Sequence, residues 1–187
     1  MKRICRYLAG TMDKGLMYMP DKGMKLDCYV NADFAGLWGA EDSQSPLSVK
    51  SRTGYVLTLG NCPLVWVSKL QSLIALSTVE SEYIALSQSM REVLPMRELL
   101  SEIGAKQNLD FAKPCITHST IFEDNNGALT LASSPRITPR TKHIAVKYHF
   151  FRSKVGKRID MENIDTNEQV EEVFTKGLKQ DTFCYLR

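Results

Sequence analysis

The chain has 187 residues, 43% of them hydrophobic, and a formal net charge of +3. This composition can bury one sizeable core, so we expect one domain with an appendage. No apolar run approaches the roughly 18 residues of a membrane span, and the opening MKRICRYLAG is too polar for a signal peptide. The five cysteines are irregularly spaced and form no Cys-x-x-Cys pair, which favours reduced structural thiols over a disulfide framework or a zinc site.

The first third of the chain is predicted to hold a short helix and three strands. Residues 2–9 fit the helix, and residues 24–31 begin a strand-like pattern. By the two-residue period of a strand, Asn31 and Asp33 face the same side. The segments RTGYVLTL and PLVWVSK are two further strands, joined by the hairpin signal Gly-Asn-Cys at 60–62.

The longest helical pattern follows, and its apolar positions recur in steps of four and three at Val79, Tyr83, Leu86, Met90 and Val93. At 100° per residue, Glu82 falls at the border of this stripe and Glu80 falls well outside it. An acid at the border can face a cleft between helix and sheet, although most helix glutamates are simply solvated. Pro95 is expected to kink or split the pattern, which then ends at Gly104.

The second half alternates strands and helices. HSTIFED is a strand that closes at Asp124, and NNGALTLASS opens a helix with Asn125 or Asn126 as its cap. TKHIAVKYHFFRSKV is a helical pattern, KRIDMENI a strand, and NEQVEEVFTKGL a final helix with Glu171 and Glu172 near its start. Since the ends of adjacent parallel strands border one crevice, Asp124 is expected to share it with the polar end of the first strand.

The charge is unevenly distributed. Residues 125–159 contain no Asp or Glu, and the basic residues there are Arg136, Arg140, Lys142, Lys147, Arg152, Lys154, Lys157 and Arg158. Such a segment can neutralise phosphates of a nucleic acid, or it can be a solvated face. Both interpretations stay open for the basic side chains, and the interleaved aromatic residues are interpreted as core.

The acidic residues near four element ends indicate a class of chemistry. Clustered carboxylates are what two divalent ions about 4 Å apart need in phosphoryl hydrolysis. The sequence lacks the Gly-x-Ser-x-Gly, Gly-x-x-x-x-Gly-Lys and His-Glu-x-x-His motifs of competing chemistries.

Five segments, in order, resemble the ribonuclease H domain of copia-type LTR retrotransposon polyproteins. They are RTGYVLTL, SKLQSLIALSTVESEYIALS, FEDNNGAL, RTKHIAVKYHFFR and EEVFTKGL. The resemblance implies an α/β ribonuclease H-like fold, a mixed five-stranded sheet flanked by helices. It also implies residues 1–22 as a remnant of the connection to reverse transcriptase and residues 23–187 as the domain.

The same resemblance implies an activity and its surroundings. The domain would cut the RNA strand of RNA/DNA hybrids with two Mg²⁺ ions, or Mn²⁺ in their place. Its partners would be the hybrid and the reverse transcriptase domain of the parent polyprotein, with no membrane. Its location would be the cytoplasm, inside a retrotransposon particle, or the nucleus.

Carried over by position, the four acids of the family fall on Asn31, Glu82, Asp124 and Glu172. Glu82, Asp124 and Glu172 are the implied metal ligands, with Glu172 standing where an aspartate is usual. Asn31 stands where the family has the aspartate expected to bridge both ions, and its amide brings no charge. Asp33 is a candidate substitute, but it lies about 6.6 Å further along the strand. The resemblance therefore predicts weak or absent cleavage.

The basic motif supplies the expected nucleic-acid contacts, which are Arg140, Lys142, Lys147 and Arg152. His143 and His149 are interpreted as packing or substrate-side residues. Ser77, Thr78 and Asn125 can contact a nucleic-acid backbone or cap a helix. Three hypotheses follow: an active hybrid ribonuclease, a non-catalytic nucleic-acid-binding or decayed remnant of the same fold, and a protein-interaction piece without a nucleic-acid role.

Overall fold

A computed structural model describes residues 2–21, 23–39, 44–109, 119–134, 144 and 146–186. Among these residues it contains five strands and five α-helices. The strands are β1 (Leu26–Asp33), β2 (Arg52–Leu59), β3 (Cys62–Leu70), β4 (Ser119–Glu123) and β5 (Ile159–Asn163). The helices are α1 (Lys2–Ala9), α2 (Thr78–Gln107), α3 (Asn126–Ser133), α4 (Glu172–Thr175) and α5 (Gln180–Leu186).

The strands form one mixed sheet in the order β3-β2-β1-β4-β5. β1, β2 and β3 pair antiparallel, whereas β4 pairs parallel to both β1 and β5. The predicted hairpin between β2 and β3 is confirmed, and its turn residues Gly60 and Asn61 have φ angles of 55° and 65°. Two positive φ angles in a two-residue loop match the twist of paired strands. The predicted mixed five-stranded sheet flanked by helices is confirmed.

Helix α2 packs against the sheet through the stripe that its periodicity predicted. Tyr83, Leu86, Met90 and Val93 are all fully buried and belong to one core cluster with residues of β1, β2 and β4. The long helix is thereby fixed along the central strands.

Of the kink or split expected at Pro95, the split is wrong, and so is the predicted end of the helix at Gly104. α2 runs unbroken through Pro95 to Gln107, and Asn108 caps it in the left-handed conformation with its N–H donating to the Gly104 carbonyl. Pro95 lies on the exposed face. Water can therefore satisfy the carbonyl that loses its partner there, which makes the proline tolerable.

The predicted helix over TKHIAVKYHFFRSKV is wrong where the structure describes it. Two three-residue 3₁₀ turns stand there instead, at Val146–Tyr148 and Arg152–Lys154. The buried aromatic residues Tyr148 and Phe151 are three positions apart, which suits the 3₁₀ repeat. β-branched and aromatic residues in this stretch also have modest helix propensity.

The single final helix predicted over NEQVEEVFTKGL is also wrong. A 3₁₀ turn at Thr166–Glu168 is followed by α4, and α5 begins only at Gln180. Gln169 interrupts the pattern because it is fully buried and its Nε2 donates to the Val30 carbonyl at 3.0 Å. This bond holds extended backbone at Gln169 and places the start of α4 over the end of β1.

No helix in the described part of the chain is long and apolar enough to cross a membrane. The parallel pairing of β1 with β4 brings the carboxyl ends of both strands to one edge of the sheet. The N-terminal end of α2 packs on β1. These three ends define the position of the candidate site.

Candidate metal centre

The start of α2 is fixed by a capping box. The Glu80 N–H donates to Ser77 Oγ at 3.1 Å, and the Leu76 N–H donates to Glu80 Oε2 at 2.8 Å. The sequence predicted Glu80 well outside the buried stripe. Its side chain instead folds back over the helix start and is buried there. Ser77 has the capping role that the sequence left as one of two alternatives.

Glu82 lies two residues further along this anchored turn, at the border of the buried stripe as predicted. Its side chain is only 6% exposed, and Oε2 has no hydrogen-bond partner among the described residues. Burial raises the pKa of Glu82 well above its ordinary value of 4.5, and the negative charges of Glu123 and Asp124 raise it further. The backbone N–H of Ala32 on β1 counteracts this rise in part.

The end of β4 places two more carboxylates beside Glu82. One carboxylate oxygen from each of Glu82, Glu123 and Asp124 lies within 4.8 Å of the other two. Glu123 is fully buried: Oε1 accepts the Asn125 N–H at 3.1 Å, and Oε2 has no partner within the described ranges. Asp124 Oδ2 accepts the Thr166 hydroxyl at 2.8 Å. These bonds orient both acids toward one point.

Asn125 also sets this geometry, because it caps α3. Its Oδ1 accepts the N–H groups of Gly127 at 2.9 Å and Ala128 at 3.1 Å. The strand must therefore end at Glu123, which leaves Asp124 between the strand and the capping residue. Capping accounts for Asn125 without a nucleic-acid contact.

Asn31 lies near the carboxyl end of β1, as Glu123 does on the paired strand β4. It is 2% exposed, and its Nδ2 has no hydrogen-bond partner among the residues described. Its cross-strand partner on β2 is Gly54. A Cβ added to Gly54 would lie 2.5 Å from Glu171 Oε2 and 2.5 Å from Thr175 Cγ2. The glycine thus admits the start of α4 against the strand pair.

The two glutamates at the start of α4 have different surroundings. Glu171 is fully buried, and neither of its carboxylate oxygens has a hydrogen-bond partner in the described parts of the chain. Burial raises its pKa well above 4.5, the charge of Glu82 raises it further, and the nearby Asn31 side chain lowers it in part. Glu172 is 7% exposed and pairs with Lys176 Nζ at 2.5 Å, one helical turn away.

Lys176 brings a positive charge into this acidic surrounding. Its burial alone would lower its pKa, but the hydrogen bond to Glu172 and the charges of Glu172, Asp124 and Glu171 outweigh burial and raise the pKa above 10.5. The same lysine is therefore electrostatically coupled to acids from β4 and α4. It neutralises part of the cluster.

The structure brings together two of the four positions carried over by resemblance, since carboxylate oxygens of Glu82 and Asp124 lie within 4.8 Å of each other. Asn31 adjoins Glu171, which is electrostatically coupled to Glu82. Glu172 is connected to Asp124 only through the charge of Lys176. The assignment of all four residues as ligands stays a prediction.

Asp33, the candidate substitute, lies at the rim. It is half-buried, and a Cβ at Gly36 would meet its Oδ2 at a distance far below van der Waals contact. Its carboxylate therefore turns toward the following loop. Burial raises its pKa, while Lys176 and Arg52 lower it and Glu172 raises it. Asp33 thus contributes negative charge from the rim of the site.

Sequence reasoning missed Glu123, Glu171 and Lys176 as members of the site. Glu123 had a usable signal, because strand alternation places it on the same buried face as Ser119 and Ile121. Glu171 had none, because it precedes a four-residue helix whose position depends on the distant bond from Gln169 to β1.

Part of the predicted basic surface can be placed. Lys147 is exposed, with Nζ 5.0 Å from the Tyr148 ring centre. Together with Lys69 and Arg91 it lines a cavity of about 350 Å³. Arg152 raises the positive potential near Tyr83 and His149. Arg140, Lys142 and His143 lie outside the described residues.

His149 has the packing role that one interpretation gave it. Its Nδ1 lies 2.7 Å from the Tyr83 hydroxyl, and the two rings are in contact. Burial and the charge of Arg152 lower the pKa of His149. The described histidine is thus a neutral partner of α2 and is not among the clustered metal-ligating groups.

The buried acids predict a pH dependence of stability in EDTA. A carboxyl group whose folded pKa is raised stabilises the fold below 4.5, and this stability is lost as the pH rises through the folded pKa. We therefore expect the melting temperature to fall as the pH rises above 4.5, and Glu82→Gln to make the fall shallower. Thermal melts followed by circular dichroism measure this.

Glu98→Gln is the matched control, because Glu98 is exposed on the same helix. It should leave the pH dependence of the parent unchanged. Parallel curves for the parent and Glu82→Gln would contradict the raised pKa of Glu82.

No protein-family model matches the chain. The retrovirus-related Pol polyprotein from transposon RE2 of Arabidopsis thaliana is 33% identical over 184 residues, covering 98% of this chain and 12% of that polyprotein. The retrovirus-related Pol polyprotein from transposon TNT 1-94 of Nicotiana tabacum shows the same identity and coverage. The chain thus spans about 12% of the length of these curated relatives.

Among solved structures, the chain is similar to the N-terminal ribonuclease H domain of a Mycobacterium tuberculosis protein, fused to maltose-binding protein. The TM-score is 0.49 at 11% sequence identity. The match covers 87% of this chain and 96% of the other.

Proposed function

We propose that this chain, which belongs to the copia-type retrotransposon Pol polyproteins as its motifs predicted, is a ribonuclease H-type domain that hydrolyses the RNA strand of RNA/DNA hybrids. The observation that supports this most is the cluster of Glu82, Glu123 and Asp124, whose carboxylate oxygens lie within 4.8 Å of one another, with Asn31 and Glu171 beside it. Three of these acids are more than nine-tenths buried and keep oxygens without partners among the described residues.

The donor set fits hard divalent cations. All the clustered side chains offer oxygen, which suits Mg²⁺ and Mn²⁺, and no cysteine or histidine belongs to the cluster within the described ranges. Buried carboxylate oxygens without partners are costly unless a proton or a cation satisfies them. When bound, two divalent ions would supply charge stabilisation at the attacking and leaving oxygens of the phosphodiester.

The residues of the chain would hold and orient this centre. Glu82 and Asp124 are the proposed ligands on α2 and β4, and the Thr166 hydroxyl fixes Asp124 from the second layer. Lys176 holds Glu172 and supplies positive charge among the acids. It therefore competes with an arriving cation for Glu172.

Asn31 is the proposed cause of impaired catalysis. Its amide oxygen can touch a cation but contributes no negative charge. This feature also favours a second candidate function, a non-catalytic nucleic-acid-binding or decayed remnant of the same fold. The proposed partners remain the hybrid and the reverse transcriptase domain of the parent polyprotein, and the proposed location is the cytoplasmic particle or the nucleus.

Cleavage of a labelled RNA/DNA hybrid in Mg²⁺ separates the two functions. We expect slow cleavage by the parent, no cleavage by Glu82→Gln, and faster cleavage by Asn31→Asp by at least about tenfold, the scale of a disturbed metal site. Equal rates for the parent and Asn31→Asp would contradict the impairment. Hybrid binding without cleavage in both would favour the second function.

The basic side chains beside α2 are proposed to contact the hybrid backbone. Lys69, Arg91 and Lys147 are all exposed around one cavity. Arg91 lies nine positions after Glu82, which is about 13 Å along the axis and about two and a half turns around it. A hybrid that contacts both the acids and this cavity would therefore have to span two faces of α2.

We expect Lys147→Ala to weaken hybrid binding and to reduce the slope of log affinity against log salt by about one, because one phosphate contact is lost. Fluorescence anisotropy at several salt concentrations measures the slope. Lys106→Ala, at the far end of α2, is the control and should match the parent. A Lys147→Ala slope equal to that of the parent would remove Lys147 from the interface.

A further inference from the structure

The Glu171 carboxylate lies close to Asn31, the site position that carries no negative charge. Asn31 and Gly54 are direct cross-strand partners, and such partners have Cα atoms about 5 Å apart. A Cβ on Gly54 would lie 2.5 Å from Glu171 Oε2. The Glu171 carboxylate therefore lies over the Asn31–Gly54 pair, in space that only a glycine leaves open.

The burial of Glu171 is only partly offset by the described residues. Its side chain is completely buried, neither oxygen has a partner at full hydrogen-bond geometry, and only the adjacent Asn31 side chain and the charge of Lys176 lower its pKa. A carboxylate that merely supports the fold is normally paired or hydrogen-bonded. Two buried oxygens beside Asn31, electrostatically coupled to Glu82, are instead what a cation ligand presents.

Glu172 is placed differently although it is the next residue. Its carboxylate pairs with Lys176 at 2.5 Å, so its negative charge is largely matched within the chain. Glu171 has no such partner, and it is electrostatically coupled to Glu82 across the site. The two neighbours therefore differ in the charge that they can offer to a bound ion.

We propose that Glu171 supplies the carboxylate that Asn31 lacks, so that α4 contributes to the ion site through Glu171 more than through Glu172. This proposal rests on the proposed function, since it assumes that the cluster binds divalent ions. Glu82, Glu123, Asp124 and Glu171 together offer four negative charges, which balance two divalent ions. Glu172 then remains paired with Lys176. The carboxylate reaches the site from α4 and not from β1, which predicts that ion binding is retained while cleavage is impaired.

Mn²⁺ binding tests this proposal without any cleavage assay. The signal of free Mn²⁺ in electron paramagnetic resonance titrations gives the affinity of the parent and of Glu171→Gln, Glu172→Gln, Glu82→Gln, Asn31→Asp and the double variant Asn31→Asp/Glu171→Gln. Circular dichroism melts in EDTA check that each variant folds. Glutamine keeps the size of glutamate, so the substitutions remove charge with little change in packing.

We expect Glu171→Gln to weaken Mn²⁺ binding by at least about tenfold, and Glu172→Gln to weaken it by less than about threefold. Asn31→Asp should restore the affinity of Glu171→Gln, because either carboxylate can serve the same position. The gain from Asn31→Asp should be larger in that background than in the parent.

Two results would overturn the proposal, and they differ from each other. If Glu82→Gln abolishes Mn²⁺ binding while Glu171→Gln matches the parent, the site exists and Glu171 is not part of it. If the parent, Asn31→Asp and Glu82→Gln all fail to bind Mn²⁺, the proposed function fails and the role of Glu171 fails with it. Equal gains from Asn31→Asp in both backgrounds would also contradict a shared position.

Discussion

Mutual repulsion among buried carboxylates is the constraint on which the rest of this site depends. Glu82, Glu123 and Glu171 are almost completely excluded from solvent, and each raises or shares the negative potential of the others. Such a group stays in a fold only if protons or cations offset the charge. Lys176 offsets one charge from within the chain. The remaining charge is what the proposed divalent ions would offset.

The fold keeps these acids together through bonds that are individually ordinary. The parallel pairing of β1 and β4 aligns two strand ends, and the capping box holds the first turn of α2 against them. The buried Gln169 side chain ties the approach to α4 to the Val30 carbonyl, one residue before Asn31. These contacts thus hold the ends of β1 and β4 and the starts of α2 and α4 near one another.

The sequence predicted the strands, the long helix and the position of Glu82, because these depend on local periodicity. Two of its mistakes have local causes, since Pro95 is tolerated on an exposed face and Glu80 is turned inward by a capping bond. The others arise where tertiary contacts override local preference. Glu171 could not be foreseen, because its burial depends on a glycine more than a hundred positions away in the chain. The sequence shows that Asn31 brings no charge, whereas only the fold shows that Glu171 lies beside it.

The central claim is that distant parts of the chain form one acidic site for divalent ions. Anomalous scattering from crystals soaked in Mn²⁺ tests it most directly, since it locates the ion without reference to activity. The account predicts a peak about 2.1 Å from carboxylate oxygens of Glu82 and Asp124. Ordered crystals whose Mn²⁺ peaks all lie elsewhere on the protein, with none at these acids, would contradict it.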